Sequence, residues 1–148
     1  MTPLFVIVAH APLASALKGV AAHTYAECSG DMVAIDVPPQ ADPAEVESRL
    51  RDTIGTREAL ILVDVFGATP CNAAARVADG VRVRVVAGVS VPMLWRTLCY
   101  RDGGLDDLVQ LAIAGAVKGA IHVPPERPIQ NQSTPLTRHD QDGHHHQQ

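Results

Sequence analysis

The sequence predicts an α/β fold, a doubly wound and mainly parallel four-stranded sheet with helices on both faces. Three observations predict it. Apolar runs rich in β-branched residues recur at 4–9, 59–65 and 82–88. Between them lie stretches with apolar residues at helical spacing. Those stretches are roughly ten residues or longer, the length a parallel crossover needs.

Residues 4–9 (LFVIVA) are continuously apolar, as in a strand covered on both faces. Pro12 suits a first helical turn, where its missing N–H costs nothing. Leu13, Leu17 and Val20 follow at helical spacing with Ala16 and Ala21 beside them, so one helix is expected from 12 to about 28, closed by Ser29-Gly30-Asp31. A second strand, MVAID at 32–36, stops at Pro38-Pro39. Asp42 then reads as an N-cap, with Pro43 in the first helical position and Glu45 three residues after the cap, ahead of Val46, Leu50 and Ile54.

ALILVDV at 59–65 repeats the pattern of the first strand, and the turn FGATP leads into CNAAARVA, a short helix begun by Pro70. RVRVVAG at 82–88 is the fourth strand. Pro92 lies near the start of the next helix, and Leu105, Leu108, Val109, Ala112 and Ile113 mark the last. GAIHV at 119–123 is a candidate final short strand. Beyond it three prolines fall within five positions and apolar residues almost vanish, so 1–123 is expected to be one domain and 124–148 a polar, disordered tail.

Composition narrows the function. At 47% hydrophobic and 19% charged residues, the chain is of the globular type. A net charge of −4 and 3% aromatic residues offer neither a footprint for a phosphate backbone nor a stacking platform for bases, which argues against nucleic acid. No apolar run approaches the ~20 residues of a membrane span, and no basic residue precedes the apolar run at 4–9 as in a signal peptide. Cys28, Cys71 and Cys99 are odd in number and far apart, as suits reduced thiols rather than a disulfide framework or a zinc site. A cytoplasmic protein without metal or cofactor is expected.

In open α/β sheets the functional crevice lies beyond the carboxyl ends of the strands. Strand one delivers His10 there. Strand three delivers Asp64 and then Gly67, Ala68, Thr69 and Pro70 into a helix N-terminus, whose N–H groups and dipole favour an anion. Strand four delivers Gly88, Ser90 and Pro92. A carboxylate beside a neutral imidazole fixes its tautomer and leaves the second nitrogen free as nucleophile or base. A phosphoryl group on that nitrogen needs donors, which Thr69 and neighbouring amides supply. Each residue also has an ordinary structural role open to it: His10 as a hydrogen-bonded strand end, Asp64 as a loop cap, Thr69 as an N-cap. Cys71 near a helix N-terminus invites comparison with a cysteine nucleophile. Arg76, however, lies inside the helix rather than at the end of an anion loop, and a small buried residue is the better reading. The histidines at 144–146 lack a fixed metal geometry, His139 reads as solvated, and His23 and His122 read as structural.

The stretches VIVAHAPLASAL, LVDVFGATPCNAAARV and VVAGVSVPMLWRTLCYRD together resemble the mannose/fructose-family enzyme IIA component of the bacterial phosphotransferase system, over roughly residues 4 to 118. The family pattern LVDxxGGSPxNAA is kept at Leu62, Val63, Asp64, Gly67, Pro70, Asn72, Ala73 and Ala74. The resemblance implies a phosphorelay in which His10 accepts a phosphoryl group from the phosphocarrier HPr and passes it to a IIB partner, with Asp64 holding the ring. It implies phosphate contacts at Gly67, Ala68 and Thr69, partner docking around Ser90, Pro92 and Met93, no cofactor, and a homodimer with an exchanged C-terminal strand, for which 119–123 is the candidate. The chain departs from the pattern at Ala68, where a second glycine is usual, at Thr69 for Ser, and at Ala11 and Ser90 for Gly and Asn. Sugar transport, regulation, phosphoryl donation within a dihydroxyacetone kinase, and non-catalytic binding of a phosphorylated metabolite remain alternative outputs.

Overall fold

A computed structural model of the chain describes residues 1–127. The order of elements is β1 (Leu4–His10), α1 (Leu13–Thr24), α2 (Ala26–Ser29), β2 (Val33–Val37), α3 (Pro43–Ile54), β3 (Ala59–Val63), α4 (Thr69–Val77), β4 (Val83–Ala87), α5 (Val91–Leu98) and α6 (Leu105–Gly119). The four strands form one parallel sheet in the order β2-β1-β3-β4.

Burial on both faces follows from the two-residue period of a strand. Phe5, Ile7 and Ala9 of β1 and Leu60 and Leu62 of β3 face one layer, where they pack with Leu17 of α1, Leu94 of α5 and Leu108 of α6. Leu4, Val6, Val8, Ile61 and Val63 face the other, against Val46 and Leu50 of α3 and Ala73 and Ala74 of α4. All five residues of β3 are buried, which is why its sequence is unbroken by any polar side chain. Small alanines on α4 let that helix lie close to the sheet.

Local signals place most helix starts. Asp42 accepts a hydrogen bond from the Ala44 N–H at 3.0 Å, and Pro43 occupies the first position of α3, as its sequence requires. Ser90 caps α5 by accepting from the Met93 N–H at 3.3 Å.

Several expectations are corrected. Pro12 is not inside α1 but at its cap position, with φ −102° and ψ 26°, outside helical geometry. The single helix expected from 12 to 28 is interrupted at Tyr25 (φ −129°, ψ 56°), whose ring packs against the α1/α5/α6 core and whose hydroxyl meets Cys99, so a tertiary contact rather than local propensity ends α1. Thr69 is the first residue of α4, and Ala68, which has no side-chain acceptor to offer, holds the cap position. The strand expected at 119–123 is not formed within the chain: Gly119 completes α6, residues 120–125 pair with no strand among the described residues, and Ile121 and Val123 are exposed. His122 is exposed rather than structural, as is His23. His139, the histidines at 144–146 and most of the expected tail lie outside the described residues. No helix among the described residues is long and apolar enough to cross a membrane.

The central strands carry the core, so a cavity there should be felt by the whole fold. Leu60→Ala, at a fully buried β3 position, is expected to cost about 2–5 kcal/mol of unfolding free energy. Urea titration followed by far-ultraviolet circular dichroism measures it, and an effect below half a kcal/mol would contradict the packing described.

Candidate functional site

The order β2-β1-β3-β4 reverses direction between β1 and β3, because α1 and α3 cover opposite faces of the sheet. At such a switch point two neighbouring strands send their following loops apart and leave a crevice between them. His10 is the last residue of β1, and Asp64 follows the last residue of β3. The two side chains meet in that crevice. Nδ1 of His10 stands 2.7 Å from Oδ2 of Asp64, and the same oxygen accepts from the His10 backbone N–H at 3.0 Å. Oδ1 of Asp64 accepts from the Val65 N–H at 3.0 Å. The carboxylate is thus clamped to both loops before it touches the ring.

Burial by itself pushes the Asp64 carboxyl up, but the His10 N–H, the imidazole and the Val65 N–H together hold it below the ordinary aspartate value. Ionised and acceptor-only, it requires the proton on Nδ1 of a neutral ring, and Nε2 then carries a free lone pair. The His10 side chain is 49% exposed while Asp64 is 12% exposed. The imidazole faces solvent and the carboxylate that holds it does not.

The neighbouring loop leads into the uncapped N-terminus of α4. Gly67 has φ +87°, a conformation costly for other residues, and Ala68 is extended at φ −91°, ψ 171°. The glycine usual at 68 is therefore not needed for backbone conformation in this chain. No side chain caps α4, so its first-turn N–H groups are left for water or an anion. Asn72 donates to the Gly67 carbonyl at 3.4 Å and helps hold the turn. Cys71 is buried, in keeping with a packing role. Val65 and Phe66 are exposed beside the crevice, Phe66 at 86%.

Met93 is not available for docking: its side chain is fully buried under α5, and Ser90 is engaged in capping that helix. Pro92 is half-buried.

Sequence reasoning passed over Asp36, at the end of β2 on the same edge. α1 has no cap of its own, because Pro12 carries no acceptor. Asp36 supplies one from a different strand: Oδ1 accepts from the Ser15 N–H at 3.0 Å and Oδ2 from the Ser15 hydroxyl. The Ala11 N–H donates to the Val37 carbonyl at 2.9 Å. The segment between His10 and α1 is therefore tied down at both ends by the end of β2. A polar residue closing the apolar strand MVAID was the available signal.

The family model described as the PTS system fructose IIA component matches residues 4–110. The chain belongs to this family. Over 67 residues it is 45% identical to the PTS system mannose-specific EIIAB component of Escherichia coli (strain K12), a match covering 43% of this chain and 21% of that protein. Over 54 residues it is 44% identical to the PTS system fructose-specific EIIA component of Bacillus subtilis (strain 168), covering 36% of this chain and 37% of that one. The matches thus span about a fifth and a little over a third of these relatives' lengths. Among solved structures, the mannose/sorbose specific IIA subunit of the phosphotransferase system from Enterococcus faecalis superposes with a TM-score of 0.77 at 19% identity, over 86% of this chain and 99% of that one. The EIIA component from Streptococcus agalactiae gives 0.73 at 22% identity, over 80% and 95%. Both bear out the α/β fold.

The Asp36 cap should show in stability and in its pH dependence. Hydrogen bonds from the Ser15 hydroxyl and N–H hold the Asp36 carboxyl below its usual value. A carboxyl depressed by folding contributes stability that is complete above its unfolded value, about 3.9, and is lost as pH falls through the folded value. Urea unfolding from pH 7 down to pH 3 should therefore show stability falling in the acid limb, and less steeply in Asp36→Asn. At neutral pH, Asp36→Ala is expected to cost about 0.5–2 kcal/mol, the usual loss of a cap. An acid limb unchanged in Asp36→Asn would show that the carboxylate does not hold α1.

Proposed function

We propose that the chain is a phosphohistidine carrier of the phosphotransferase system, with His10 as the residue that carries the phosphoryl group. The observation that carries this reading is the 2.7 Å contact between His10 Nδ1 and the Asp64 carboxylate, which in the neutral ring places the free lone pair on Nε2, at the exposed switch point of the sheet.

In this mechanism a phosphohistidine of HPr is the donor. The lone pair of Nε2 attacks phosphorus in line, the donor's P–N bond breaks, and the electron pair returns to the donor nitrogen. No water and no proton transfer at phosphorus are involved, so catalysis reduces to alignment and charge stabilisation. Asp64 keeps the ring oriented and offsets the positive charge that develops on it. The open N–H groups before α4, together with Thr69, meet the phosphoryl oxygens. The reverse chemistry delivers the group to a IIB partner in sugar uptake, or to a regulatory target. Phe66 and Val65, exposed beside His10, are the surface against which such partners pack, in place of the buried Met93. The same reading makes the protein cytoplasmic and a homodimer.

Incubation with phosphoenolpyruvate, enzyme I and HPr is expected to yield a single acid-labile phosphoryl adduct by mass spectrometry, absent in His10→Ala. A label that persists in His10→Ala overturns the assignment. Asp64→Asn should keep the fold yet slow phosphoryl uptake by about tenfold to a hundredfold, the cost of a misaligned nucleophile, read by quenched-flow labelling. Chasing the labelled protein with IIB domains and a dihydroxyacetone kinase subunit identifies the acceptor.

A further inference from the structure

Away from the His10 crevice, an open groove of about 340 Å³ runs along the junction of α5 and α6 and ends at Tyr25. None of its lining residues belongs to the loops that follow β1 or β3. Along it α6 lies close against α5. A methyl group on Gly115 would come within 2.9 Å of Arg96 Cβ and 3.0 Å of the Pro92 carbonyl oxygen, and one on Gly119 would run into the Pro92 ring.

The walls are apolar and the rim is charged with one sign. Trp95, the only tryptophan of the chain, remains 41% exposed along the groove. An exposed indole in a concave apolar site is a ready-made contact surface. The charged groups are Arg96 and Lys118, and no carboxylate lines the groove among the described residues. Among the described residues neither cation makes an ion pair, as is also true of Lys18, Arg49 and Arg57, whereas Arg51, Arg76, Arg82, Arg84 and Arg101 do. The Arg96 guanidinium is held over the Tyr100 ring, 5.8 Å from its centre. This positive rim stands on a chain whose net charge is −4, so it is a local feature. At one end the Cys99 thiol donates to the Tyr25 hydroxyl at 3.1 Å, leaving the phenolic proton as a further donor.

We propose that this groove is a binding site for a small amphipathic anion: an aromatic or short-chain carboxylate, sulfonate or phosphate ester. Its apolar body lies on Trp95 and Pro92, and Arg96 and Lys118 receive its charged head. The volume falls in the lower part of the roughly 300–1,000 Å³ range of small-molecule sites. Charge complementarity selects the anion, and the volume fits a small molecule. The site is independent of the phosphoryl chemistry at His10.

The test uses the full-length protein and two matched probes, 8-anilinonaphthalene-1-sulfonate and its uncharged analogue N-phenyl-1-naphthylamine. Trp95 reports directly, through quenching and energy transfer to the bound naphthyl group. Saturable one-to-one binding of the sulfonate is expected, at least about tenfold tighter than the neutral probe, the size of one charge-assisted contact. Arg96→Glu and Lys118→Glu, each checked for native circular dichroism, should each weaken the sulfonate about tenfold or more while leaving the neutral probe unchanged. Equal affinity for the two probes, or no effect of either charge reversal, overturns the proposal. So does sulfonate binding that disappears with rising protein concentration as a dimer forms by light scattering, since a second copy would then occupy the groove.

Discussion

β1 and β3 run side by side with helices over both of their faces, and neither is able to persist without the other. Their residues pair in parallel from Leu4 with Ala59 to Val8 with Val63, and nearly every side chain on them is buried. A backbone with no water on either face has only its neighbour for hydrogen bonding, so any slip in register would leave buried polar groups unpaired. That register is also what brings the residue ending one strand to the residue following the other. The contact between His10 and Asp64 is thus set by the register of the two buried central strands.

Around this centre the molecule divides its labour by edge and by face. At the carboxyl edge, Asp64 fastens two loops and a ring, while Asp36 fastens the start of α1. Both carboxylates are held below their usual ionisation by the groups they fasten, so at neutral pH each is a fixed negative charge next to donors. On the face away from that edge, α5 and α6 meet through glycine and proline, and the close approach leaves a positively rimmed groove. α5 joins the two regions, since its cap Ser90 follows β4 at the carboxyl edge and Pro92, two residues later, walls the groove.

The elements differ in how well their residues announced them. α3 was legible down to its cap, because Asp42, Pro43 and Glu45 act within one turn of the chain. β1 and β3 were legible because double burial leaves an unbroken apolar run. The end of α1 was not, since Tyr25 leaves the helix to reach a core built from α5 and α6, far along the chain. The start of α1 was misplaced for a related reason: its cap comes from Asp36 on another strand, and no local motif encodes a cap lent from afar. The family resemblance implied docking at Met93, but the helix turns its side chain into the core.

By itself the sequence determined the fold class, the strand cores and the candidacy of His10 and Asp64, because period-two burial and strand-end polar residues are properties of neighbouring positions. Tertiary structure alone decided that Nδ1 rather than Nε2 meets the carboxylate, that Asp36 serves α1, that Ala68 needs no glycine backbone, and that Arg96 and Lys118 share one groove. Apart from the local backbone of Ala68, these depend on distances between residues separated by many positions in the chain. Such distances are set only when the two sides of the sheet have packed, since no local rule fixes where one helix comes to rest against another.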